Sequence, residues 1–286
     1  MSTEPYELRL PPKQAGSVVF ASPHSGRKYP ETFLRQTVLG EQAIRSSEDA
    51  FVDLLFADAP DLGAPLLQAN APRAYIDMNR GRDELDPALI AGTRRGVQNP
   101  RVASGLGVVP RVVAGGRAIY RGRIPLAEAE RRIRSEWIPY HRTLEKLLRD
   151  THATFGEAIL LDCHSMPSEA IGSIGVKGGR YPDIVLGDRY GSAARQDIVD
   201  RIAAVFSDAG FRVVRNTPFA GAFTAERYGR PSRNQHVVQI EINRGLYMDE
   251  ARIVPADGFD ALRTRLRGVI AQLIRIGLGG RRLAAE

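Results

Sequence analysis

Ala158-Ile-Leu-Leu-Asp-Cys-His-Ser-Met166 is the stretch whose reading decides the fold. Its apolar residues run without a break into Asp162, His164 and Ser165, a pattern that predicts a strand buried on both faces. The polar cluster then falls at the strand's carboxyl end. Open α/β sheets form ligand sites there, because the departing loops line a crevice while the strand holds their first residues rigid. His164 is therefore a candidate ligand or catalyst. The plain alternative is a core histidine hydrogen-bonded to Asp162 or to a neighbouring carbonyl.

Working outward, Ser17 to Ser22 predicts a short buried strand that runs into Pro23-His24-Ser25-Gly26, which puts a second of the five histidines at a strand end. Pro23 fixes the exit angle and Gly26 permits a tight turn or a close approach to a ligand. Residues 64–69 and 74–78 predict further strands, the second ending in Asp77-Met78-Asn79-Arg80. An Asn-Arg pair can clamp a carboxylate or polarise a carbonyl oxygen, and Arg80 can equally pair with Asp77 or Asp83. The run His236 to Asn243 places Val237, Gln239 and Glu241 on one strand face. A carboxylate on so apolar a strand needs a partner such as Arg244, or a chemical role. Beside a metal with bound water, Glu241 can take a proton and pass it to a leaving nitrogen.

Helices are predicted between these strands. Residues 41–59 suit a helix capped near Ser46 or Ser47, with Glu48 and Asp49 in its first turn, where carboxylates favour the macrodipole. Residues 125–150 form the clearest amphipathic pattern, kinked or split by Pro139, with His141 at the border of the apolar stripe in a structural role and His152 in an exposed turn. Residues 183–187 and 211–215 read as strands around a helix over 193–209, and a last helix over 259–276 is closed by Gly277, Gly279 and Gly280. This alternation predicts an α/β sheet with helices on both faces, built as one domain over residues 1–286. Residues 81–124, rich in glycine and arginine and weakly periodic, read as a flap insertion with a small hairpin near Val108 to Gly116; a surface excursion without a role is the alternative.

Composition narrows the function classes. The single cysteine, Cys163, excludes an internal disulfide framework and a cysteine-based zinc cluster, so a metal site must draw on histidine and carboxylate. The formal charge of +7 comes mainly from dispersed arginines rather than a basic block, which argues against nucleic-acid binding. Arginine in a cleft also suits a small anionic substrate. The amino-terminal residues lack a signal-peptide pattern and no apolar run reaches about 20 residues, so the expectation is a cytoplasmic protein without a membrane partner.

Taken in order, Pro23-His24-Ser25-Gly26, Asp77-Met78-Asn79-Arg80, Asp162-Cys163-His164-Ser165 and Gln239-Ile240-Glu241-Ile242 make the chain resemble the N-formylglutamate amidohydrolase family, over roughly residues 15–275. Trp137 to Leu144 and Phe223 to Pro231 belong to the same resemblance. It implies a three-layer α/β/α fold with a mixed central sheet, similar to zinc carboxypeptidases and their acylase relatives, and one divalent metal, Zn²⁺ or a substitute. His24 and His164 match the two histidine ligands, Glu241 the general base, and Asn79 and Arg80 the pair that binds substrate carboxylate or carbonyl oxygen. In carboxypeptidases the third ligand lies three residues after the first histidine, which is Arg27 here. The acidic residue of the formylglutamate family at the start of the next helix is matched instead by Asp49, with Glu48 as the neighbouring alternative.

The implied reaction is metal-dependent hydrolysis of N-formyl-L-glutamate to formate and L-glutamate, a step of histidine degradation, with arginines such as Arg80, Arg111 and Arg227 gripping the carboxylates. Arg80 and the metal would stabilise the oxyanion, while Asp162 and Ser165 would support the ligands. The loop departs from the family pattern at Ala222 and Ala225, where a second glycine and a threonine are expected. Competing readings are a deacylase or peptidase for another N-acyl substrate and a non-catalytic ligand-binding protein on the same fold. A serine or cysteine hydrolase is disfavoured, since no Gly-x-Ser-x-Gly elbow surrounds Ser25 or Ser165.

Overall fold

The computed structural model describes residues 4–93, 99–172 and 181–278. Residues 94–98 of the expected flap, and Gly279 and Gly280, lie outside the described residues. Tyr6–Arg9 (β1), Val18–Ser22 (β2), Leu66–Ala69 (β3), Ala158–Met166 (β6), Ile184–Gly187 (β7), Val213–Arg215 (β8) and Gln235–Asn243 (β9) form a seven-stranded sheet in the order β1-β3-β2-β6-β9-β7-β8. Two short strands, Ile90–Ala91 (β4) and Ile124–Pro125 (β5), pair separately. By Cα proximity the chain divides into two units: Met1–Glu7, Pro23–Ala50 and Gln68–Thr143 form the first, Leu8–Ser22, Phe51–Leu67 and Leu144–Glu286 the second.

In the second unit every residue of β6 is buried. Strands β2 and β9 run parallel to β6 on either side, so no edge of β6 is free. β7 runs antiparallel to β9 and parallel to β8, which makes the sheet mixed, as expected. Register carries chemistry: Asp162 is opposite Gln239, and His164 opposite Glu241. Opposed residues of parallel strands share a face and alternate positions change face. Asp162, His164, Gln239 and Glu241 therefore line one face, and Cys163 and Ile240 the other. Helices Val52–Leu55 (α3), Gln196–Asp208 (α8) and Phe259–Ile276 (α10) pack together and onto β6, β7, β8 and β2. Phe223–Tyr228 (α9) packs on β9. At the end of β7, a Cβ on Gly187 would come within 2.7 Å of the Ala220 carbonyl carbon, so only glycine fits.

The first unit holds Glu31–Gln36 (α1), Glu41–Arg45 (α2), Pro100–Ala103 (α4), Leu126–Arg132 (α5) and the start of Ile138–Phe155 (α6). The expected strand over 74–78 is absent: Tyr75 and Ile76 donate to the Pro72 carbonyl in a turn. Their side chains are buried by packing, Tyr75 against the fully buried Arg132 guanidinium, 4.3 Å from its ring centre. Apolar residues in a short run signal burial without fixing the backbone. The stretch 81–124 also packs, with Val108, Val109, Val113 and Ile119 buried, and Val112 bridges Ala118 across a turn at the expected hairpin.

One helix expectation needs correction. Residues 47–59 do not form one helix, because only Val52–Leu55 is helical and Phe51 takes a left-handed φ of 66°, which breaks any helix arriving from Glu48. Glu48 and Asp49 thus precede the helix rather than lie in its first turn. The helix over 125–150 is split near Pro139, as expected: a π-turn at Ile133–Trp137 divides it, and its wider spiral accommodates a residue that has no N–H and a ring that clashes with the preceding turn.

Leu160 is fully buried in β6, and Leu160→Ala is expected to lower unfolding stability by about 2–5 kcal/mol in denaturant titration. His236, at the start of β9, is fully buried, and burial followed by the Arg195 charge depresses its pKa from 6.5 to about 4. The fold holds the neutral ring while the unfolded chain takes up the proton first. His236 thus contributes stability that is complete above pH 6.5 and is lost as pH falls toward about 4. Stability curves at several pH values should show this decline, and His236→Asn should flatten it.

Candidate active site

In the first unit, Pro23 leads the chain off β2 into His24, which is 1% exposed. Gly26 must be glycine, because a Cβ there would lie 2.2 Å from the Ala71 carbonyl oxygen. His24 Nε2 donates to Asp77 Oδ1 at 2.7 Å, and its Nδ1 lies 3.3 Å from Asp49 Oδ2. Burial would raise the Asp77 carboxyl, yet His24, Arg73 and Arg80 together hold it well below the usual carboxylate range. With Asp77 ionised and the ring proton on Nε2, the Nδ1 lone pair faces a carboxylate, an arrangement relieved by a proton or a metal cation between them. The Asp49 N–H donates to the His24 carbonyl at 3.0 Å, which fixes the Asp49 backbone.

Glu48 is committed elsewhere. Its carboxylate accepts from Tyr29 Oη at 2.6 Å and from Arg45 at 3.1 Å. Asp77 also fixes the Asn79-Arg80 turn by accepting from the Asn79 N–H at 2.8 Å, and it pairs with Arg73 rather than Arg80. Arg80 is 6% exposed, and its Nε and Nη1 donate to the carbonyls of Leu106 and Asn79, while Nη2 has no hydrogen-bond acceptor among the described residues. Trp137 Nε1 and His141 Nε2 donate to the carbonyls of Arg80 and Met78, which gives His141 the structural role expected.

In the second unit the shared face of β6 and β9 carries Asp162, His164, Gln239 and Glu241. His164 Nε2 is 3.0 Å from Asp162 Oδ2, a close contact out of line for a hydrogen bond, since neither Asp162 oxygen has a hydrogen-bond partner among the described residues. Gln239 Oε1 accepts from the Ala222 N–H, and its amide donates to Glu241 Oε1 at 2.8 Å. On the opposite face Ser165 Oγ accepts from Arg244 Nε at 3.1 Å, away from His164. Cys163 is buried there, and burial with the Asp162 charge raises its thiol pKa well above the usual range, which removes it as a nucleophile.

The ligand-capable atoms of His24, Asp49 and His164 all lie within 4.8 Å of one another, and all three residues are buried. Two imidazoles and a carboxylate form a donor set that can hold a divalent metal ion. The Asp77 carboxylate on His24 Nε2 fits it further, since a ligating histidine ordinarily gives its other nitrogen to such a group.

A family model described as N-formylglutamate amidohydrolase matches residues 16–248. The chain belongs to this family. It is a hydrolase of a linear amide bond. An N-formylglutamate deformylase of Pseudomonas aeruginosa is 31% identical over 265 residues, covering 91% of this chain and 93% of that protein. One from Pseudomonas putida is 29% identical and covers 82% of each chain. The crystal structure of an N-formylglutamate amidohydrolase from Ralstonia eutropha JMP134 superposes with a TM-score of 0.89 at 34% identity, covering 98% of this chain and 99% of that one. Among the described residues of this family member, no helix is long and apolar enough to cross a membrane.

The remaining candidate arginines, Arg111 and Arg227, make other contacts. Arg111 donates to Asp86 at 2.8 Å and to the Ala103 carbonyl, holding the stretch 81–124 together. Arg227 lines a different cavity, described below, that contains neither His164 nor Glu241. Helix α9 explains its position: it starts beside Gln239 and runs back along β9, so that the Tyr228 carbonyl accepts from Gln235. Sequence reasoning missed Asp77 as the support of His24 and Gln239 as the support of Glu241. Alternation on β9 already gave Gln239 and Glu241 one face, whereas nothing local to Asp77 pointed back to His24.

Isothermal titration with Zn²⁺ checks the ligand choice: Asp49→Ala should abolish tight binding, Glu48→Gln should leave it within a few-fold, and Asp77→Asn should weaken it about 10–100-fold.

Proposed function

We propose that this enzyme hydrolyses N-formyl-L-glutamate to formate and L-glutamate in the cytoplasm, with Zn²⁺ or a similar divalent metal held by His24, Asp49 and His164. The observation that carries the reading is the buried His-Asp-His group, together with Glu241 registered directly opposite His164. The family and its deformylase relatives supply the substrate. When bound, the metal supplies Lewis acidity and lowers the pKa of water toward about 7.

Glu241 takes the proton of the attacking water as its oxygen bonds to the formyl carbon, and returns it to the glutamate nitrogen as the C–N bond breaks. Gln239, anchored by the Ala222 N–H, holds the Glu241 carboxylate in one orientation. Arg80, with Nε and Nη1 fixed on carbonyls, offers Nη2 to the formyl oxygen as charge builds there or to a substrate carboxylate; Asn79 beside it completes the polar clamp. Asp77 and Asp162 orient His24 and His164, and Ser165 with Arg244 braces the back of β6. Arg111 acts indirectly, by steadying its own segment.

Steady-state assays on N-formyl-, N-acetyl- and longer N-acyl-glutamate test the substrate, with the formyl compound expected to lead. Activity should vanish on chelation and return with added metal. Glu241→Gln should lose about 10²–10⁴-fold in kcat while still binding metal, and His164→Ala should lose both. Full activity in chelated protein would overturn the metal-dependent reading.

A further inference from the structure

At the amino-terminal end of β6 and β9 the second unit carries a cavity of about 470 Å³ that no step of the hydrolysis uses. Its wall includes Arg149 and His152 from α6, Arg227 from α9, and Arg230 and Arg233 from the turn that enters β9. Glu145 is the single acidic residue in the lining, against four arginines. The cavity reaches β9 at Gln235, six residues before Glu241, which at about 3.3 Å per residue is roughly 20 Å along the strand.

None of the four arginines has a carboxylate within hydrogen-bonding distance among the described residues. Arg230 donates to the carbonyls of Glu226 and Gly229, and its backbone closes a bridge with Gln235. His152 Nε2 donates to the Arg233 carbonyl at 2.8 Å, while the Arg233 side chain has neither an ion pair nor a hydrogen bond among the described residues. Arg227 lies against the buried Tyr228, its guanidinium 5.7 Å from the ring centre. Arg149 has a loose contact with Asp150 at 3.7 Å. Arginines on the same unit are matched differently: Arg212 to Asp183 at 2.6 Å, Arg215 to Asp200 at 2.7 Å. Four guanidinium groups around one concave space leave an excess of positive charge there, which an entering anion offsets. Their planar forks suit phosphate or carboxylate oxygens, and the volume suits a small metabolite.

We propose that this cavity is a second ligand site, separate from the hydrolytic centre, that binds a compact multivalent oxyanion, either a phosphate compound or a polycarboxylate. Isothermal titration of the full-length protein with pyrophosphate and with citrate, at matched ionic strength, tests it. Saturable binding of one or both is expected, and the preferred anion tells which source the site serves. The double variant Arg149→Ala/Arg233→Ala should weaken binding at least tenfold, whereas Arg252→Ala, an exposed arginine outside the cavity, should not. Hydrolysis of N-formylglutamate by the double variant, without added anion, should stay within twofold of wild type. No saturable binding of either anion, or binding that survives the double substitution, would overturn the site. A large loss of hydrolysis in a folded double variant would overturn its separateness.

Discussion

The parallel pairing of β2, β6 and β9 is the constraint on which the rest depends. Because β6 has no free edge and no exposed face, its position is fixed by two ladders of main-chain hydrogen bonds and by apolar contact above and below. A slip of one residue would exchange its faces, sending His164 to the Cys163 side. The apolar residues that open β6 therefore set the register of the polar ones that follow. The same register brings Glu241 opposite His164.

Around this frame, buried charge is arranged in pairs that would be costly if separated. His24 stands between two carboxylates, and His164 stands close to a third. Each carboxylate has a different environment: Asp77 is ringed by cations and a backbone N–H, whereas Asp162 lacks hydrogen-bond partners. Removing one member of such a set leaves its partner buried and uncompensated, which costs more than the pair itself contributes.

Legibility in the sequence followed the length of each signal. Strands of long apolar run, such as Ala158–Met166 and Gln235–Asn243, were readable because burial on both faces leaves a continuous pattern. The histidines were legible because they follow strands directly. Short pieces misled: Tyr75, Ile76 and Met78 are apolar because they pack, though the backbone there turns. The choice of Asp49 over Glu48 was not decidable from spacing, since it depends on Tyr29 and Arg45 capturing Glu48. The position of Arg227 was not legible for a related reason: the direction in which α9 returns along β9 is a tertiary fact that no local pattern carries.

The π-turn before Pro139 has a geometric consequence for the Asn79-Arg80 pair. One extra residue in a helical turn rotates everything after it by about 100° around the axis. Trp137 and His141, one turn apart, use the rotated face to hold the carbonyls of Arg80 and Met78. The helix thus works like a key cut to a phase: the angle at which it leaves the π-turn decides whether those two donors meet the segment that carries Asn79 and Arg80. A proline that looked like a flaw in an amphipathic pattern is, in this sense, part of what aims the arginine.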